Sequence, residues 1–366
     1  MYKRQVQAVL SVGLARGQRG NPAASLKVEQ LYGIPVLLSG TAALVLKATE
    51  SSLLDSHFKN KLQNLLKLHQ KTPDSVVLFL SGSLPASALL HLKQLSLFAM
   101  ISRLPDNILH RIATYNLTVL NDTSKSWFIH IKKLCVQYSL PHPLYQLQHP
   151  LSKSAAKSLF KSRVIDFWER SLRHSASLLP SLKYFHPQYM SLTKSHPLFT
   201  TCGSNSYEVS KAITQAKMLS GRYRTDMLLR HFDSTKSGNC LVCEETVPGS
   251  LEHLLIECPA LSSSRDILFK MLFERVDISE LSKVLISDIF VSSDTTDIVQ
   301  LLLDCSVVPA IISAQDRNGN TLSEIFKYTS VGGRHLFTCG PALRACDPSS
   351  LPVPPAERGQ HGSDLW

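Results

Sequence analysis

The sequence predicts a mainly α protein, organised as a helical bundle, a basic helical linker, a small Cys/His knuckle and a disordered tail. Three observations predict it. Apolar residues recur three or four apart in one segment after another, each bounded by proline, glycine or a capping side chain. Three cysteines and a histidine then crowd between positions 240 and 258. After Tyr328, Gly, Pro and Ser replace any amphipathic period.

The first thirty residues are basic and rich in glycine, and Asn21-Pro22 opens a helix expected to reach Tyr32. The apolar run Pro35 to Leu46 fits a strand or a buried helix equally, because short apolar runs carry no deciding period. Thr49 or Ser51 starts an amphipathic helix to about His69. Leu53, Leu54, Phe58, Leu62, Leu65 and Leu66 lie on one face, with Lys59, Lys61 and Lys67 off it. Another helix is expected between Pro85 and Leu104, stopped by Pro105, and a third from Asp106 to Leu117 with Asp106 as its cap. Charge is scarce on these helices, so they should pack on one another as a bundle spanning 1–120.

Residues 121–200 form the linker. Ser124 to Tyr138 and Ser152 to His174 read as basic helices. In the second, Lys153, Lys157 and Lys161 recur every fourth residue beside an apolar stripe of Ala156, Phe160, Val164 and Phe167. Such a row suits either a phosphate backbone or a solvated edge. His-Pro pairs at 142, 149, 186 and 196 read as proline-fixed turns.

The segment 201–290 carries the knuckle. Tyr207 to Ser220 is helical, includes Lys217, and ends at Gly221. Arg222-Tyr223-Arg224 follows, then a short helix with Arg230 and His231. Guanidinium groups pair with phosphate and a tyrosine face can stack on a base, so this stretch is the local candidate for nucleic-acid contact. A helix connector with Tyr223 in the core is the plainer alternative. Cys240, Cys243, His253 and Cys258 have the spacing C-x2-C-x9-H-x4-C. Thiolates and a neutral imidazole close a tetrahedral structural zinc site and leave no open position for catalysis. The alternative is three buried cysteines and a core histidine. Ser250 can cap a short helix from Leu251 to Glu257, and Pro259 should end it at Cys258. An unbroken α-helix would turn His253 and Cys258 about 140° apart. Helices are expected at Arg265 to Arg275, Glu280 to Phe290 and Thr296 to Asp304, with 291–328 a terminal helical segment and 329–366 the disordered tail.

The chain has 366 residues, 44% of them hydrophobic, and a formal net charge of +11. Residues 1–200 hold 24 Lys or Arg against 8 Asp or Glu, while 241–300 hold 4 against 11. The basic part suits a polyanion such as RNA or DNA, and the acidic part suits a protein partner. No apolar run is long enough to span a membrane, so no membrane partner is expected. The start MYKRQVQAVLSVGLARG faintly resembles a signal peptide, yet Gln5 and Gln7 break its short apolar run. Dispersed cysteines suit reduced thiols, hence an intracellular protein of nucleus or cytoplasm that is not secreted. No phosphate-binding G-x4-G-K-[ST] loop, G-x-S-x-G elbow or H-E-x-x-H site occurs.

Four stretches carry a family likeness: LYGIPVLLSG (31–40), FLSGSLPASALLHLKQLSLFAMISRLPDNILH (79–110), LPSLKYFHPQYMSL (179–192) and KAITQAKMLSGRYRTDMLLRHF (211–232). With the ending EHLLIECPAL of the knuckle, they resemble the carboxy-terminal part of reverse transcriptases from LINE-type, non-LTR retrotransposons. The likeness runs in order over roughly residues 6 to 328. It implies a thumb-like bundle at 1–120, then a linker and a CCHC knuckle, with Cys240, Cys243, His253 and Cys258 as ligands of one structural zinc. It also implies an RNA-directed DNA polymerase as parent, whose palm carries paired aspartates for two magnesium ions. No Asp-Asp pair occurs in this chain. The resemblance therefore implies a truncated copy, inactive as a polymerase alone, with a tail that departs from the family's basic-aromatic continuation.

Overall fold

A computed structural model describes residues 21–307, apart from 204, 224, 236, 244, 245, 275–279 and 292–294. Among the described residues the chain is mainly helical with no strand, and a single antiparallel bridge pairs Asn239 with Pro248. The expected tail at 329–366 lies outside the described residues.

Helix α1 (Pro22–Val28) begins as expected. The Asn21 side chain accepts the Ala23 N–H at 2.8 Å, and Pro22 occupies a position whose missing N–H costs nothing. The chain then widens into a π turn, Glu29–Gly33, before α2 (Ile34–Leu37). Pro35 explains the widening. A regular helix would need its absent N–H and would press its ring on the Leu31 carbonyl. The i→i+5 bond from Ile34 N–H to the Glu29 carbonyl relieves both. The run left open between strand and buried helix is thus helical only to Leu37. It continues through Gly40 (φ +72°) and a 3-10 turn at Thr41–Ala43.

In α3 (Ala48–Leu66) the Glu50 carboxylate accepts the Lys47 N–H at 2.9 Å, and Lys67 ends the helix in the left-handed conformation. Phe58, Leu62 and Leu66 are buried, whereas Leu53 is 70% exposed. The stripe runs through Leu54, and at about 100° per residue Leu53 falls off it. Helix α4 (Asp74–Ser81) is buried from Ser75 to Ser81. The Gly82 that follows has φ +63°, and a Cβ there would collide with the Lys194 backbone. Helix α5 (Ala86–Ser102) is central. It packs against α3, α7 (Trp127–Gln137) and most of all α9 (Lys153–Ser177), with α9 also covering α4. Helix α6 (Ile108–Val119) is capped by Asn107, whose Oδ1 accepts the Leu109 N–H at 2.9 Å, and Asp106 is not the cap. Pro105 and Asp106 are used in a turn closed by Asn107 N–H to the Leu104 carbonyl at 3.0 Å.

Two of the His-Pro turns are helix caps. His142 Nδ1 accepts the Leu144 N–H at the start of α8 (Pro143–Gln148), and His196 Nδ1 accepts the Leu198 N–H at the start of α10 (Pro197–Thr200). His196 also anchors the far end of the chain. With Nδ1 accepting, its Nε2 carries the proton and donates to Asp304 Oδ2 at 3.1 Å, both groups being buried. The Ser306 hydroxyl and N–H donate to Asp304 Oδ1 at 2.5 and 3.1 Å. This clamp holds α15 (Thr295–Leu303) after α13 (Ser262–Glu274) and α14 (Glu280–Val291). Before them come α11 (Ser206–Leu219), ended by Gly221 at φ +62°, and α12 (Asp226–Phe232).

One buried apolar cluster runs from Leu26 through Phe98 and Phe160 to Cys305, and it includes Cys240, Leu254, Leu255 and Cys258. No single described helix is long and apolar enough to cross a membrane. Helices α4 and α5 pass that test together, yet they are bent by 60° and line this core. The six described cysteines are free of disulfides.

Candidate metal centre

The four predicted ligands converge. Their donor atoms all lie within 4.8 Å of one another, with Cys240 Sγ 4.0 Å from Cys258 Sγ and Cys243 Sγ 3.4 Å from His253 Nε2. A closed tetrahedral site with metal–sulfur bonds of about 2.3 Å has sulfur–sulfur edges of about 3.8 Å, so the set is the right size for one ion. The residues could hold a metal ion, and they fill all four positions themselves.

Local sequence builds this geometry from two arms. In the first, Gly238 has φ +78°, Cys240 N–H donates to the Val247 carbonyl at 2.9 Å and Gly249 N–H to the Gly238 carbonyl at 2.9 Å. The turn 240–243 then aims both sulfurs inward. In the second arm Ser250 caps as expected, its Oγ accepting the His253 N–H at 3.1 Å. The expected short helix differs in pitch: His253–Glu257 is a π turn, with Cys258 N–H bonded to the His253 carbonyl at 2.7 Å. An i→i+5 bond stacks a residue above the one five before it. That brings His253 and Cys258 to one side, where α pitch would have parted them. Cys258 leaves the helix at ψ 116°, the conformation that Pro259 requires.

Burial, and after it the neighbouring Cys240, pushes the Cys258 thiol up to about 12. Packed thiols resist ionising together, and a bound cation is what reverses that. His253 Nδ1 lies 3.8 Å from the half-exposed Glu257 carboxylate, a charge neighbour beyond hydrogen-bond distance.

Spacing alone missed Arg265. It is 8% exposed, and its Nη1 has no hydrogen-bond partner. Burial lowers its guanidinium from the usual range, and the neighbouring Cys258 pulls it back up. A divalent ion held by three thiolates and an imidazole would leave one negative charge, and Arg265 is the buried cation whose charge is felt by Cys258. Its only sequence signal is a cation in the first turn of the helix after Cys-Pro-Ala-Leu. Arg265→Leu should weaken metal affinity by about 10- to 100-fold, read by competition with a chromophoric chelator.

The residues singled out for nucleic acid fall into two groups. Lys153, Lys157 and Lys161 are exposed along α9, about 12 Å from first to last. None forms an ion pair with a described residue. Lys217, Arg222 and Tyr223 are half-buried and Arg230 is exposed, with Tyr223 and Arg230 in a cleft shared with Ser250 to Glu252. Tyr223 also packs against the core, so the plainer alternative holds for part of its ring. Arg224 lies outside the described residues. No family model, curated protein or solved structure matches the chain.

Proposed function

We propose that this chain is a nucleic-acid-binding helical segment stabilised by one structural zinc ion. In this reading it resembles the region after the palm of a LINE-type reverse transcriptase and does not polymerise by itself. The observation that carries the reading is the closed, metal-sized set of Cys240, Cys243, His253 and Cys258, set just behind the cationic Lys217–Arg230 stretch. Zinc suits that set because it accepts soft thiolates and imidazole in a tetrahedron and has no redox chemistry. With no vacant ligand position, the ion's part is to hold backbone. Nucleic acid would meet the exposed α9 row and the segment ahead of the knuckle.

The test is binding of a fluorescein-labelled single-stranded RNA by the full chain across a salt series. Each phosphate contact contributes about 0.7 to the slope of log affinity against log salt. Replacing Lys153, Lys157 and Lys161 together by glutamine should lower that slope by about 2 and leave the metal content unchanged. A wild-type affinity indifferent to salt would end the nucleic-acid reading.

One observation favours a second reading, a zinc-stabilised module for protein interaction. Ile108, Ile112, Tyr115 and Val119 form an exposed apolar stripe along α6. Salt-indifferent binding to nucleic acid with an intact metal centre would favour it, with the acidic stretch 241–300 as a second surface.

A further inference from the structure

Beside the metal centre opens a cleft of about 880 Å³. One wall comes from the turn around Pro180 to Tyr184, a second from Met218, Tyr223 and the inward side of α12, and a third from Ser250 to Glu252. Its walls are chiefly apolar. The half-buried Tyr223 contributes ring surface, whereas Tyr184 lines the wall buried with Lys183 Nζ 5.1 Å from its ring centroid, and Met218, Met227 and Leu251 contribute pliable aliphatic surface. The charged groups on it are Lys183, Arg230 and Glu252. Glu252 is already engaged, accepting the Tyr184 hydroxyl at 2.6 Å and Lys183 Nζ at 2.8 Å. Arg230 makes no ion pair with a described residue, so the rim is left positive.

Two of the three walls hang on ligand-bearing backbone. Met227 N–H donates to the Gly249 carbonyl at 3.3 Å, and Asp226 Oδ2 accepts the Leu241 N–H at 3.1 Å. The stem of Arg230 runs along Gly238, where a Cβ would come within 2.6 Å of its Cδ. Helix α12 is thus fastened to both turns of the first metal arm. On the other side Leu251 and Glu252 lead directly into His253.

From this arrangement we propose that the cleft takes one unpaired nucleobase with its phosphate, and that it is assembled only while the metal centre is filled. The proposal rests on the nucleic-acid reading above and adds the place where a single base is held. Volume suits it, since ligand clefts of roughly 300–1,000 Å³ enclose molecules of nucleotide size. Chemistry suits it too: aromatic faces accept any base by stacking, and a rim guanidinium meets its phosphate. The engaged carboxylate leaves no free anion to favour a basic peptide.

The full-length, metal-loaded chain, labelled at its methionine methyl carbons, is titrated with adenosine monophosphate. The Met218 and Met227 signals should shift saturably through the ring current of a bound base, while Met100 and Met190, which do not line the cleft, stay still. Tyr223→Leu should weaken the effect roughly tenfold. Because Tyr223 also packs on the core, Arg230→Gln serves as the second variant: glutamine keeps the Cβ, Cγ and Cδ atoms that run along Gly238 and removes the charge, so it should weaken AMP more than adenosine. Chelation of the metal should abolish the shifts. An equal response to inorganic phosphate would overturn the base assignment, and shifts that survive chelation would overturn the metal dependence. Met218 and Met227 unmoved by AMP, with labelled RNA still bound in a salt-dependent way, would remove the cleft and leave the α9 surface standing. Loss of both would remove both readings.

Discussion

Substituting Cys258 by serine is expected to empty the metal centre of the full chain, from one equivalent of ion to below about a tenth, and to loosen everything fastened to it. Cys258 is fully buried, beside Cys240, and closes the π turn that carries His253. Serine neither ionises like a thiol nor suits the same soft ion. Apparent metal-binding energy in small structural sites is about 10 kcal/mol or more, and it counts as folding energy because no such site exists in the unfolded chain. Most of that would be forfeited locally, so the turns 238–250 and α12 should lose hydrogen-exchange protection. Cys135→Ser is the control, another buried free cysteine on α7, away from the cluster. Elemental analysis of the two proteins decides the matter: metal retained by the Cys258 variant would show that these side chains are merely neighbours.

Asp304→Ala is expected to cost about 2–4 kcal/mol, since each buried donor left without its acceptor costs about 1–3 kcal/mol. It strands the buried His196 Nε2–H and takes the acceptor from the half-buried Ser306 N–H. The pair also sets an acid limit. Burial opposes ionisation of Asp304, but His196 and the two Ser306 donors outweigh it and hold its carboxyl below the ordinary range. An unfolded aspartate titrates near about 3.9. The contribution is therefore complete above that pH and is lost as pH falls through the lower folded value. Urea unfolding from pH 7 down to pH 2 should show wild type losing stability more steeply than Asp304→Asn below about pH 4. Parallel curves, or a cost under about 1 kcal/mol at pH 7 for the alanine variant, would mean the clamp is idle.

Much of this could be read from residue order, where one face of a helix is wet. Helix α9 announces itself because Ala156, Phe160 and Val164 alternate with lysines at a helical interval. Helix α4 does not, since with Ser75 to Ser81 all buried it has no wet face and hence no period. Leu53 was misplaced because it neighbours Leu54, and one residue is a large rotation. Asp106 and Asn107 are chemically alike as caps, and the turn after Pro105 chose between them. At the site, Cys240, Cys243, His253 and Cys258 were legible from spacing, while the π pitch joining two of them was not. The cleft was hidden because only tertiary packing brings its segments together, and Arg265, though close to Cys258 in the chain, because its burial cannot be read from spacing.

The metal arm shares its apolar interior with the rest of the molecule. Cys240, Leu254, Leu255, Cys258 and Leu261 belong to the same cluster as Phe98 and Phe160. Many small metal domains behave as beads on a string, movable between hosts. This one is closer to a keystone: cut out alone, it would bare an oily underside to water and stick to its copies. Seen from the other end, losing the ion should be felt well beyond its four ligands.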